Sequence, residues 1–142
     1  MKYIFLDVDG VLNSSERWHN CRLVSADRAS KIDDRAVKRL LKIVEATGAV
    51  VVITSVWRRY DDMLTGLCET LFAAGIDVVG YTSWQPALGR VDEIQKWLKE
   101  SDGYEAYVVL DDESLAIPHH VQTMFETGLL DEHIEQAIDW LR

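Results

Sequence analysis

Short, nearly unbroken apolar runs alternate along this chain with longer segments of helical period, and no other feature constrains its fold as much. Tyr3-Ile4-Phe5-Leu6, Ala49-Val50-Val51-Val52-Ile53, Val78-Val79 and Tyr107-Val108-Val109-Leu110 read as strands. Three of the four are apolar almost throughout, as expected of strands covered on both faces. Between them, Val37, Leu40, Leu41 and Val44 share one helix face, and Gly48 stands where a C-terminal cap belongs. Leu64, Leu67, Cys68 and Leu71 form a second stripe, closed by Gly75, and Val91, Ile94, Trp97 and Leu98 form a third. A last stripe runs through Leu130, Ile134, Ala137, Ile138 and Leu141, with Asp131 suited to its N-cap.

Val121-Gln122-Thr123-Met124-Phe125 alternates apolar and polar residues, which predicts a fifth strand at a sheet edge. Strands alternating with helices predict an α/β fold: a doubly wound, Rossmann-like parallel sheet of about five strands with helices on both faces. At 142 residues the chain has the length of one domain. It holds no repeat or linker, so residues 1–142 read as a single unit. Only residues 10–32 lack a clear period, and they read as a short flap-like insertion after the first strand. No apolar run is long enough to span a bilayer. Asp7 falls too early for the apolar region of a signal peptide. Two widely separated cysteines, Cys21 and Cys68, do not make a disulfide framework. A soluble protein of a reducing compartment, the cytoplasm, is the expectation.

The net charge of −9 is unevenly spread. Residues 1–60 carry 11 Lys and Arg against 7 Asp and Glu, while residues 61–142 carry 4 against 17. The first half therefore offers an anionic substrate a mildly positive surface. Two solvated helix faces of different charge would give the same split.

In an open parallel sheet, ligands bind beyond the carboxyl ends of the strands. The first strand runs into Asp7-Val8-Asp9-Gly10, the second into Thr54-Ser55, and the fourth into Asp111-Asp112-Glu113. Carboxylates crowded at two strand ends repel each other unless a cation lies among them. Oxygen donors with no His or Cys beside them suit Mg²⁺ rather than zinc. In extended backbone Asp7 and Asp9 point to the same side, so one could attack phosphorus while the other handles protons. The Thr54 hydroxyl would hold a phosphate, with Arg90 or Arg58 neutralising charge on the transferring group.

These residues, in this order, resemble the haloacid dehalogenase (HAD) superfamily of phosphohydrolases. The Asp-x-Asp-Gly motif after an apolar strand matches Ile4 to Leu12, and the Ser/Thr motif matches Val51 to Thr54. The lone basic residue falls on Arg90, and the paired acids after a strand match Val108 to Asp112. More narrowly, Asp7-Val8-Asp9-Gly10-Val11-Leu12-Asn13, Thr54-Ser55-Val56-Trp57-Arg58 and Leu110-Asp111-Asp112 look like the small HAD domains of RNA-repair proteins. Those are related to the phosphatase half of polynucleotide kinase-phosphatases.

The resemblance implies a Mg²⁺-dependent phosphomonoesterase with an aspartyl-phosphate intermediate. Asp7 would be the nucleophile and Asp9 the general acid and base, with Thr54 and Arg90 holding the phosphoryl oxygens. Mg²⁺ would be held by Asp7, the Asp9 backbone carbonyl and Asp111, with Asp112 either a further ligand or a partner of those that are. Ser55, Arg58 and Trp18 are the candidate substrate contacts, with Trp18 in the insertion offering a ring for a base. Gaps of residues 10–32 and 82–89 leave no room for a large cap domain, and an open site suits a nucleic-acid phosphate end or a nucleotide. The alternatives are a phosphatase of small metabolites and a HAD-fold interaction module without turnover.

Overall fold

Five strands, β1 (Lys2–Leu6), β2 (Val50–Ile53), β3 (Val78–Tyr81), β4 (Ala106–Asp111) and β5 (His120–Gln122), form one sheet in the order β3-β2-β1-β4-β5. Every pairing is parallel. The computed structural model describes residues 1–16 and 32–142. Helices α1 (Asp34–Thr47), α2 (Asp61–Ala73), α3 (Arg90–Glu100) and α4 (Asp131–Leu141) connect or follow the strands. A 3₁₀ turn at Val56–Arg59 leads from β2 into α2. The expected doubly wound α/β architecture is therefore observed.

Alternation along the strands divides the core into two layers. Ile4, Leu6, Val51, Ile53, Val108 and Leu110 face one side, where Val37, Leu40 and Ile43 of α1, Leu67 and Leu71 of α2, and Ile134, Ala137 and Leu141 of α4 meet them. Tyr3, Phe5, Val52, Tyr107 and Val109 face the other, packed on Ile94, Trp97 and Leu98 of α3. Trp97 also explains Gly80 in β3: a Cβ there would stand 2.8 Å from the Trp97 ring.

Local signals place both ends of α1. Asp33 caps α1 by accepting the Arg35 N–H at 2.9 Å, and Gly48 closes it in the left-handed region at φ 73°. Asp131, by contrast, is the first helical residue of α4 rather than its N-cap. Leu130 occupies the cap position, and its N–H is taken by His133 Nδ1 at 2.9 Å. The Asp131 carboxylate instead pairs with Arg39 of α1 at 2.9 Å. The edge strand is shorter than its alternation suggested. Thr123 hydrogen-bonds to the Gly10 carbonyl, and the chain then turns back so that Met124 pairs antiparallel with Gly128. That turn lies against the segment after β1, where Leu129 N–H donates to the Val11 carbonyl at 2.8 Å.

Candidate active site

Strand register brings the motif residues into one row. Leu6 is aligned with Ile53 on one side and Leu110 on the other. The next residue of each strand is therefore Asp7, flanked by Thr54 and Asp111, at the carboxyl edge of the sheet. Backbone bonds carry the alignment past the strand ends: Asp7 N–H donates to Leu110 O at 3.0 Å, and Thr54 N–H to Leu6 O at 2.9 Å.

Asp7, Asp111 and Asp112 each place a carboxylate oxygen within 4.8 Å of the others. Asp7 and Asp111 are buried and Asp112 is half-buried. Arg90, at the first position of α3, bridges two of the three, reaching Asp111 Oδ2 at 2.8 Å and Asp7 Oδ2 at 3.3 Å. Burial pushes the Asp7 carboxyl up to about 8; Arg90 pulls against that rise, while Asp111 and Asp112 add to it. Burial and the neighbouring Asp111 also raise Asp112. Fully ionised, three buried or half-buried carboxylates with one arginine between them would leave net negative charge in a poorly solvated place. Hard oxygen donors this close fit a divalent cation such as Mg²⁺.

The turn after Asp7 is held tightly. Val11, Leu12 and Asn13 N–H groups all converge on the Val8 carbonyl. Gly10 adopts φ 84°, and its bare α-carbon lies against Asp112, where a Cβ would come within 2.5 Å of Cγ. Asp9 does not join the carboxylate cluster. Its Oδ1 accepts from Asn13 Nδ2 at 2.9 Å and from the Trp57 indole N–H at 3.2 Å. Its neighbour Gly10 donates to Asn13 Oδ1 at 3.1 Å, so Asn13 clamps both ends of the turn.

The Thr54 hydroxyl is buried and, among the described residues, has no hydrogen-bond partner. A buried polar atom left unmatched is costly, so one at a ligand site is a strong sign of what the ligand supplies. The Ser55 hydroxyl has a local task, accepting the Trp57 N–H at 3.2 Å as cap of the 3₁₀ turn.

Arg58 does not face a substrate. Its guanidinium is buried, paired with Glu93, and donates to the carbonyls of Thr54, Ser55 and Thr82. Burial lowers its pKa and Glu93 opposes that effect. It ties the end of β2 to the loop after β3. Where a substrate contact was expected, the side chain is 2% exposed and bonds to Glu93 and three backbone carbonyls. Trp18 lies outside the described residues.

Sequence reading missed Asn13, Glu93 and the indole donor of Trp57. No sequence signal pointed to Glu93, which precedes Ile94 of the third apolar stripe and proves buried. Trp57 stands in a string that carries the resemblance, but nothing local gives its partner: its ring is fully buried while its nitrogen reaches a residue 48 positions away.

The model of one protein family, the HAD domain in Swiss Army Knife RNA repair proteins, matches residues 3–134. No curated protein and no solved structure matches the chain at the significance required. The matched span contains β2 to β5, all of β1 but Lys2, the three-acid cluster, Thr54 and Arg90.

Proposed function

Because this chain belongs to the family of HAD domains found in Swiss Army Knife RNA repair proteins, we propose that it is a phosphomonoesterase acting on nucleic-acid phosphate ends or nucleotides. Family membership supports phosphohydrolase chemistry of the HAD type in general. The observation that carries the reading is the row Thr54–Asp7–Asp111, with an unpartnered buried hydroxyl at one end and Arg90 on the two acids at the other.

In this reading an Asp7 oxygen attacks phosphorus, and a bond forms between them as the bond from phosphorus to the leaving oxygen breaks. Asp9, oriented by Asn13 and Trp57, gives its proton to that oxygen. The Asp9 carboxylate then takes a proton from water as the water attacks phosphorus, releasing inorganic phosphate and restoring Asp7. The Thr54 hydroxyl and Arg90 hold the phosphoryl oxygens through both halves. Mg²⁺ would sit among Asp7, Asp111 and Asp112 with the Asp9 carbonyl, supplying charge stabilisation for the phosphoryl group.

The segments after β1 and β3, where a cap would enter, are too short to form one. A site without a large cap domain would accommodate a phosphate at the end of a polymer. The test measures phosphate release from a phosphorylated oligonucleotide, a nucleoside monophosphate and a small non-aromatic phosphate ester. Each is assayed with Mg²⁺, with chelator, and with Asp7→Asn. Turnover should need both Mg²⁺ and Asp7, with Asp7→Asn lowering kcat by about 10³-fold or more. Preference for the small ester would replace the nucleic-acid reading with that of a metabolite phosphatase. A folded protein silent on all three would defeat the enzymatic reading.

A further inference from the structure

Two exposed side chains on segments that leave the carboxyl ends of β2 and β3 form a pair that the chemistry above leaves unused. Arg59 ends the 3₁₀ turn that follows Ser55, and its guanidinium lies over the Trp84 ring, 4.2 Å from the centroid. Trp84 is 50% exposed. It stands on a loop, residues 82–89, whose two ends are pinned to the site. At the start, Thr82 N–H donates to Ile53 O at 3.0 Å and its carbonyl accepts from Arg58. At the end, Arg90 holds Asp7 and Asp111. A turn between Gln85 and Leu88, at Pro86, limits how far the intervening loop can move.

An indole half in water keeps a broad apolar face open to a partner. A flat ring braced by a guanidinium, with further exposed rings in Tyr60 and Tyr81 close in sequence, matches what single-stranded nucleic acid needs. Bases stack on aromatic faces, and arginine meets the adjoining phosphate.

We propose that Arg59 and Trp84 form a base-stacking platform that seats the terminal nucleotide of a single-stranded nucleic acid while its end phosphate enters the Asp7 site. This rests on the phosphomonoesterase reading for its orientation, and the platform itself is tested without turnover. Trp84 engages the base and sets the preference for a base-bearing end; Arg59 braces the ring and contacts the phosphodiester next to it.

The experiment uses the full chain carrying Asp7→Asn and measures fluorescence anisotropy of two labelled single-stranded oligonucleotides with a terminal phosphate. One has an intact terminal nucleotide and the other lacks only that base. The intact end should bind on the order of tenfold more tightly. Trp84→Ala should bring the ratio close to one, and Trp84→Phe should retain part of it. Arg59→Gln should weaken binding of both strands and reduce the salt slope by about one. A ratio unchanged in Trp84→Ala, or equal binding of both strands by the parent protein, overturns the platform. Should Trp84→Ala not fold, Trp84→Phe and Arg59→Gln decide, and unchanged ratio and salt slope in both overturn the proposal. Phosphate release by the wild type is scored separately. A base preference without turnover defeats the enzymatic reading alone, and turnover with a Trp84-independent ratio defeats the platform alone.

Discussion

The indole N–H of Trp57 lies 3.2 Å from the Asp9 carboxylate that the proposed chemistry uses as acid and base. Trp57 is fully buried, so one side chain both fills the core beneath the site and aims a group within it. Trp57→Phe keeps the ring and removes the donor. We expect kcat to fall about tenfold with KM changed less than twofold, since a misplaced acid slows the chemical step without weakening phosphate binding. The smaller ring should also cost roughly 1–3 kcal/mol of stability in urea unfolding. A kcat within twofold of wild type would show that Asn13 alone orients Asp9.

Gly10 sits at φ 84° with Asp112 packed against its α-carbon. Gly10→Ala forces a side chain into both the left-handed region and the space of the Asp112 carboxylate. Destabilisation of roughly 1–3 kcal/mol is expected. Because the displaced group belongs to the acidic cluster, Mg²⁺ titration of activity should also shift to higher concentration. A variant with wild-type Mg²⁺ dependence would place Asp112 outside the metal's reach.

Arg58 and Glu93 form an ion pair with almost no solvent contact, their side chains 2% and 6% exposed. Removing one partner strands a buried charge. Arg58→Met or Glu93→Leu alone should cost about 3–5 kcal/mol, and the double variant clearly less than the sum. Chemical denaturation of the three proteins checks this. Additive losses would mean that the carbonyl bonds of Arg58, rather than its pairing with Glu93, hold the loop.

His133 links stability to pH. Burial lowers its pKa, Glu132 beside it at 3.8 Å acts to raise it, and Arg39 on α1 acts to lower it. The unfolded chain therefore takes up a proton at about 6.5 that the folded chain takes up only at lower pH. With more protons bound in the unfolded state, stability falls as pH drops below about 6.5 and levels off beneath the folded pKa. His133→Gln can still accept the Leu130 N–H as a capping side chain. The difference in urea midpoint between wild type and this variant should narrow or reverse, in the variant's favour, as pH falls from 7 to 5. A constant difference would remove His133 from the pH response.

Much of the site was legible before any coordinates because its residues follow directly from strand ends. Asp7, Thr54 and Asp111 each succeed an apolar run, and parallel pairing leaves little freedom in where such residues finish. Arg90 was legible for a related reason, as the first residue of a helix that begins beyond Gly89. The edge strand was less so. Its alternation extends through Phe125, but the hydrogen bond from Thr123 to Gly10 turns the chain away after Gln122.

Arg58 and Trp57 show where local reading stops. An arginine next to a site motif has the same sequence signature whether it faces solvent or is buried against a glutamate 35 residues away. Asp131 is similar: its type suits an N-cap, yet Arg39 lies 2.9 Å away across the helix pair and His133 supplies the cap instead. Periodicity and strand-end chemistry, which depend on neighbours along the chain, determined the architecture and the acidic row. The partners of Asp9, the burial of Arg58 and the meeting of Arg59 with Trp84 depend on distant segments packed together, and only the tertiary structure decided them.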